Sequence, residues 1–494
     1  MQFTSTRSRQ NLTSARTIAR GLADDGGLFV PDHFPAISAE LAAAMTGMNY
    51  KERAKAILAL YLTDYTAEEI DRCVEAAYTG NFDNDDPAPL VEVAPGMNLL
   101  ELWHGPTCAF KDMALQLLPH LLTAAARKVA PDRTIVILVA TSGDTGKAAL
   151  EGFADVPGTR IVVFYPQDGV SAMQKLQMTT QTGGNVAVCA IRGNFDNAQT
   201  GVKKIFSDPA MQQCLADRNM EFSSANSINF GRLVPQIVYY VSSWCDLLKS
   251  GRLRRGESFN VAVPTGNFGN ILAAYYAKLM GVPIARFICA SNRNNVLTDF
   301  IRTGTYDRNR EFFTTTSPSM DILISSNLER LLYFLYDNDP AAVVRLMNDL
   351  RAAGRYTVAP GVLRKLQSEF YGGFCDDGSA AAAIGTLFAE RHYLCDPHTA
   401  VAVNVYWQYL AETGDRAPCV IASTASPYKF ASAVLPAVSV NPLPSDEFAM
   451  IAALSEATGT PVPAPLAGLK DRRVRHTACV DKERMADFIQ NFLS

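Results

Sequence analysis

The sequence predicts an α/β protein built on a parallel sheet, and three observations carry that prediction. Between Thr134 and Ala290 short apolar β-runs alternate with helical stretches, the pattern of strands covered on both faces. Glycine-rich turns follow two of those strands and open the next helix, where open α/β sheets take up ligands. The composition, 494 residues with 48% hydrophobic and 19% charged, is that of an ordinary globular chain with room for about two or three domains. A net charge of -4 gives no electrostatic reason to expect nucleic acid or an anionic membrane as partner. Small-molecule chemistry is the expectation.

In chain order, a glycine-rich turn at Gly26-Gly27 precedes helices near Ala39–Met48, Tyr50–Leu62 and Ala67–Tyr78. The third carries a capping box, Thr66 with Glu69, and stops at Gly80. Asn81 to Pro89 reads as a linker. Asn98 to Trp103 is a strand-like run closed by Gly105-Pro106; past Lys111 apolar residues recur at helical spacing, with a kink expected at Pro119. Strands are expected at Thr134–Ala140, Arg160–Tyr165, Val186–Ile191, Val261–Pro264 and Arg286–Ala290. The helices between and after them are Lys147–Ala154, Met173–Thr180, Asn197–Phe206, Phe230–Lys249 and Asn270–Met280. The last third adds Asn327–Tyr336, Pro340–Ala353, Ser379–Arg391, Ala400–Glu412 and a strand at Cys419–Ala422. A tether with Pro461, Pro463 and Pro465 then leads to a helix at Lys482–Leu493.

The ten cysteines are scattered without a Cys-x-x-Cys pair, as reduced core thiols of a cytoplasmic protein would be. No apolar run is long enough to span a bilayer, and the N-terminus lacks the apolar centre of a signal peptide. Residues 1–21, with Arg7, Arg9, Arg16 and Arg20 and no acid, leave a transit peptide open. No histidine, cysteine and carboxylate cluster has metal-ligand spacing, so no metal is expected.

Lys111 stands where a strand hands over to a helix, beside Phe110. Partial positive charge and apolar neighbours there disfavour the ammonium and leave an amine suited to an imine with an aldehyde cofactor; a solvated first-turn lysine is the plainer reading. Thr141-Ser142-Gly143-Asp144-Thr145-Gly146 and Gly266-Asn267-Phe268-Gly269-Asn270 both follow strands and open helices. Either can seat an anion on backbone N–H groups, or be a tight turn with no ligand. Neither matches a nucleotide phosphate loop or a dinucleotide fingerprint. Two nests and a lysine meet the needs of pyridoxal phosphate, whose phosphate needs one nest and whose amino-acid substrate needs another for its carboxylate. Thr424, after the last strand, offers a hydroxyl to the pyridine nitrogen, although such a turn is structural by default. His104 and His398 read as hydrogen-bonded structural groups more readily than as acids or bases. Asn226 to Arg232 offers amides and an arginine to a substrate phosphate, or is a helix cap.

Taken together, the stretches GLADDGGLFVP, ELWHGPTCAFKD, ATSGDTGKAAL, NSINFGR, PTGNFGNILAAYYAKLMG, SPSMDILISSNLERLL, DPHTAV and STASPYKFA resemble the threonine synthase family in its longer bacterial and fungal form. The resemblance implies a two-lobed pyridoxal-phosphate fold of type II, as in tryptophan synthase β chains, preceded by a helical N-terminal region. The domains would be 1–86, a catalytic core 87–440 with a smaller lobe nested at about 134–225, and a helical extension 441–494. It also weakens the transit-peptide reading, because the family domain begins near Ser5 to Arg20. By the same resemblance Lys111 carries the cofactor, Gly266, Asn267, Phe268, Gly269 and Asn270 hold its phosphate, and Thr424 faces the ring nitrogen. Asp144 lies near the ring hydroxyl, where cysteine synthases have an asparagine. Thr141, Ser142, Gly143 and Thr145 would take the substrate carboxylate, and Asn229 its phosphate. The implied reaction turns O-phospho-L-homoserine and water into L-threonine and phosphate; a phospho-lyase giving 2-oxobutyrate and a silent scaffold are the rivals. A monomer and a homodimer stay equally open. Two departures stand out: Ser426 occupies the position of a usual family histidine and Tyr428 that of an alanine, while Lys147 replaces a usually small residue.

Overall fold

The computed structural model describes residues 1–494 except Ser142 and Gly169. An antiparallel pair, β1 (Phe3–Ser5) and β2 (Phe29–Pro31), precedes helices Ala39–Gly47, Tyr50–Tyr61 and Ala67–Tyr78. The latter two helices open in capping boxes, Asn49 with Glu52 and Thr66 with Glu69, which pair otherwise orphaned end amides. This N-terminal region shares its core with the catalytic lobes: Phe3 and Tyr61 pack on Phe230 at ring distances of 4.6 and 5.8 Å. Arg7 grips Glu329 through Nε at 2.9 Å and Nη2 at 2.8 Å, a two-pronged pair that fixes direction as well as distance.

The remaining strands are β3 (Leu90–Ala94), β4 (Met97–Glu101), β5 (Thr134–Ala140), β6 (Thr159–Pro166), β7 (Val186–Arg192), β8 (Met220–Ser223), β9 (Phe259–Pro264) and β10 (Ile284–Ser291). Then come β11 (Thr305–Asp307), β12 (Arg355–Thr357), β13 (Phe370–Phe374), β14 (Cys419–Ser423) and β15 (Cys479–Asp481). A six-stranded sheet in the order β13-β10-β9-β14-β4-β3 centres the larger lobe and is parallel except at the β3–β4 edge. A five-stranded parallel sheet, β15-β7-β6-β5-β8, centres the smaller one. Central strands such as β6 and β9 are nearly unbroken runs of buried residues, as helices on both faces require. β14 enters between β9 and β4, and Asn98 donates its side-chain amide to the Cys419 carbonyl, 321 positions away, at 3.2 Å.

Two expectations are corrected. The stretch 441–494 is not a separate helical extension. Helix Glu447–Thr458 packs on the larger lobe's Ala431–Val438, whereas β15 extends the small sheet, and Met485, Ile489 and Leu493 join that lobe's core. Pro119 does not kink one helix but separates two: a single turn at Asp112–Leu115 ends, and Leu118–Val129 starts with the proline in its first turn, where a missing N–H costs nothing. β8, β13, β15 and helices Pro209–Ala216, Val296–Thr303, Pro360–Glu369 and Glu447–Thr458 are among the elements not expected from the sequence.

β4, β5, β9 and β14 lead at their C-terminal ends into Lys111, Asp144, the Gly266 turn and Thr424. That is the side on which parallel sheets bind ligands.

Candidate active site

The segment carrying Lys111 is wound around a buried carboxylate. Asp112 accepts from the Thr107 amide at 2.8 Å and its hydroxyl at 2.7 Å, while burial pushes its carboxyl up to about 6. Phe110 N–H donates to the Thr424 carbonyl at 2.8 Å and Ser426 N–H to the Cys108 carbonyl at 3.0 Å, stitching the segment to the end of β14. Lys111 is buried; its Nζ donates to Ser319 Oγ at 3.2 Å and lies 3.7 Å from Asp144 Oδ2 and 4.9 Å from the Phe110 ring centre. Burial lowers the pKa of the amine, Lys429 and Arg232 act in the same direction, and Asp144 opposes them. The desolvated site, rather than the dipole of a one-turn helix, makes this amine easier to deprotonate.

Asp144 opens helix Asp144–Phe153. Its Oδ1 accepts from Lys429 Nζ at 2.8 Å and from the Gln174 amide at 3.3 Å. Burial alone would raise its pKa, but Lys429 foremost and Lys111 next hold the carboxyl well below the usual range. Thr141 holds the turn itself: its Oγ accepts from the Gly143 and Gly146 amides at 3.0 Å each, and its own amide donates to the Phe164 carbonyl. Thr141 is therefore corrected from substrate ligand to turn support, because its amide and hydroxyl are already engaged. Gly143 has φ +149 and a Cβ there would lie 2.4 Å from the Gln174 amide, so only glycine fits. Thr145 is half-buried, and Ser142 lies outside the described residues. Lys147 is buried on the same helix and pairs with Glu151 at 2.6 Å.

The Gly266 to Asn270 turn holds its carbonyls and leaves its amides available. Ser325 Oγ donates to the Gly266 carbonyl at 2.7 Å and Asn327 N–H to the Asn267 carbonyl at 3.1 Å. Among the described residues the Gly266, Asn267 and Phe268 amides find no acceptor in the chain. Phe268 takes φ +64 and buries its ring 5.9 Å from that of Phe370. A Cβ on Gly266 would lie 2.7 Å from the Ser319 carbonyl, so the turn and Lys111 meet at the same serine. Asn270 Oδ1 accepts from the hydroxyls of Tyr239, at 3.0 Å, and Tyr240. Its Nδ2 is buried without a partner, an arrangement that calls for a bound acceptor. Tyr240→Phe is expected to weaken binding of an anion at this turn about threefold to tenfold, roughly the worth of one hydrogen bond, read by equilibrium dialysis with inorganic phosphate.

Thr424 donates its amide to Thr399 Oγ at 3.2 Å, and its hydroxyl has no hydrogen-bond partner among the described residues. Asp396 receives Thr399 Oγ and His398 Nδ1, the latter at 2.7 Å. His398 Nε2 accepts from Ser319 N–H at 3.1 Å, which places the ring proton on Nδ1. His398 is thus the support of Ser319, and through it of Lys111. Ser426 is buried and caps the short turn Pro427–Phe430, where the Tyr428 hydroxyl reaches the Thr460 carbonyl at 2.6 Å.

Asn229 is also corrected. Its amide donates to the Ile18 and Ser224 carbonyls at 3.0 and 2.9 Å and its oxygen accepts from Gly231 N–H at 2.8 Å, so no donor is left for a phosphate. The same loop offers Arg232 instead, which is buried and donates from Nη1 to the Ala225 carbonyl at 3.0 Å. Its Nε is buried without a partner, and no carboxylate pairs with it among the described residues. Burial brings its pKa down to about 10. A guanidinium kept from water without a counter-ion is a site for an anion.

Sequence reasoning did not single out Ser319, Gln174 or Lys429. Lys429 lay inside the quoted segment STASPYKFA, but nothing in its spacing points across the fold to Asp144.

A buried amine beside an amide-lined turn, at the strand ends of two parallel sheets, is the arrangement of the pyridoxal-phosphate fold of type II. A family model described as "Pyridoxal-phosphate dependent enzyme" matches residues 99–425, flanked by matches to "Threonine synthase N terminus" over 2–78 and "Threonine synthase, C-terminal" over 399–489. The chain belongs to the threonine synthase family. It is 35% identical to threonine synthase of Schizosaccharomyces pombe, covering 89% of this chain and 90% of that one. It is 42% identical to human threonine synthase-like 1 over 86% of its own length, but spans only 58% of that protein. Among solved structures, the PLP-bound threonine synthase of Brucella melitensis superposes with a TM-score of 0.89 at 36% identity, covering 100% of this chain and 99% of that one. The yeast threonine synthase does so with 0.89 at 31% identity, covering 100% and 98%.

Proposed function

We propose that the chain binds pyridoxal 5'-phosphate and converts O-phospho-L-homoserine and water into L-threonine and phosphate. The observation that carries this reading is the company kept by one buried amine. Lys111 is joined through Ser319 to a turn with unpaired amides, and the buried Arg232 guanidinium, without a carboxylate partner among the described residues, offers a second anion position. Neither anion position receives a carboxylate from the chain among the described residues. A phosphorylated aldehyde and a phosphorylated amino acid are ligands of the charge these positions call for.

When bound, the cofactor supplies an aldehyde for the substrate amine and a ring that accepts the electrons of a broken Cα–H bond. The amides of Gly266, Asn267, Phe268 and Gly269, with the orphaned Asn270 Nδ2, seat its phosphate. With the cofactor in place, the Thr424 hydroxyl would hold the ring nitrogen and the Asp144 carboxylate would lie against the ring hydroxyl. Lys111, lowered in pKa by burial, anchors the cofactor and afterwards carries protons at Cα, Cβ and Cγ of the substrate. The turn of Gly143 and Thr145, with Ser142, takes the substrate carboxylate. Arg232 takes the phosphate that leaves Cγ. Residues 1–86 form the N-terminal region and 87–440 the catalytic core, with the remainder shared between the lobes. The free thiols of all ten cysteines favour a reducing compartment such as the cytoplasm.

Incubation of the purified, cofactor-loaded protein with O-phosphohomoserine is expected to give threonine and an equal amount of phosphate. Formation of 2-oxobutyrate without threonine, or no turnover by a loaded protein, overturns the reading.

A further inference from the structure

Lys429 is the second amine of the site and has no assigned task. It sits in the turn Pro427–Phe430, held by the Ser426 cap and by the Tyr428 contact to Thr460. Its side chain is 1% exposed, and its Nζ has two acceptors: Asp144 Oδ1 at 2.8 Å and the Thr107 carbonyl at 2.9 Å. Asp144 turns its other oxygen toward Lys111, 3.7 Å away. One carboxylate therefore bridges two buried ammonium-forming groups, tightly to one and loosely to the other.

An aspartate facing an electron-rich ring hydroxyl would be repelled unless its charge were already answered. An asparagine in that position has no such difficulty. A carboxylate locked to a lysine presents the same overall charge as an amide.

We propose that Lys429 is a positioning residue, whose ammonium fixes and neutralises Asp144 and, through it, sets the protonation of Lys111. The inference rests on the reading of Lys111 and Asp144 as cofactor-facing. The other charged groups acting on this pair are Arg232 and Asp112; His398 is a neutral ring whose Nε2 accepts from Ser319 N–H. They stay in place in each of the variants that test it, so differences among those variants report the Asp144–Lys429 pair alone.

The test is the pH titration of the visible absorbance of the cofactor-loaded protein, a readout independent of turnover. Lys429→Met frees Asp144 to pair with Lys111 and removes a repelling charge, so the midpoint is expected to rise by roughly one to two units. Asp144→Asn leaves Lys429 uncompensated and is expected to lower it by a similar amount. The double variant is isoelectric with the starting protein at this pair and is expected to return close to the original midpoint. A merely structural role for Lys429 would change stability or cofactor content without shifts of opposite sign that cancel.

An unmoved or lowered midpoint in Lys429→Met overturns the proposal while leaving the cofactor assignment intact. Absence of any cofactor band in the unaltered protein would sink the functional reading, and this inference with it. Should Lys429→Met fail to fold, Lys429→Gln decides in its place: a raised midpoint supports the proposal, and an unmoved or lowered one rejects it.

Discussion

Replacing Lys111 by alanine is expected to lower turnover by about 10⁴-fold, the scale of losing a positioned proton carrier together with the covalent anchor. The fold should survive. The removed amine donates one hydrogen bond, to Ser319 Oγ, and Asp144 keeps its closer partner Lys429. Borohydride reduction of the loaded protein, followed by peptide mapping, checks the assignment directly. The label is expected on Lys111 in the parent and to be absent from the variant. Lys429 is the competing amine, but its Nζ is already committed to Asp144 and the Thr107 carbonyl. A label on Lys429 would overturn the choice.

Arg232→Met is expected to move stability and activity in opposite directions. The buried guanidinium has one chain acceptor and an unpaired Nε, so an apolar side chain of similar length relieves a desolvation cost. The ligand-free protein should gain about 1 kcal/mol or more, since exchanging buried charge for apolar packing is often stabilising. Meanwhile kcat/KM for O-phosphohomoserine should fall roughly 10²- to 10³-fold, the scale of losing a desolvated charge contact. Thermal unfolding and steady-state kinetics on one preparation measure both. Unchanged kinetics would show that the substrate phosphate goes elsewhere.

The sheet strands were legible because burial on both faces leaves an uninterrupted apolar run. Thr134–Ala140 and helices Phe230–Lys249 and Pro340–Ala353 stand where the pattern put them. β13 was hidden by Gly372-Gly373 in its middle. Those glycines are there because a side chain at Gly372 would meet the Thr298 backbone at 3.2 Å, a constraint of packing that no local pattern announces. β8 was missed because its half-buried Met-Glu-Phe stretch is not an apolar run. At the site, loops at strand ends could be named, since their glycines and their position carry the signal. Pairings across the fold could not: Ser319 meets Lys111 over 208 positions, and Lys429 reaches Asp144 from the far end of the core. Asn229 illustrates the limit, because a helix cap and an anion ligand use the same residue type, and only the partners at Ile18, Ser224 and Gly231 tell them apart.

The outer edge of the small sheet is β15, made long after the strand it pairs with. Until Cys479–Asp481 and helix Met485–Leu493 emerge from the ribosome, β7 has an unpaired edge and the apolar side chains of Val162, Phe164 and Ile191 lack part of their cover. Neither sheet therefore closes in the order in which it is made: the larger one waits for β14 to enter between β9 and β4, and the smaller one, whose other strands are all made by Ser223, waits for β15.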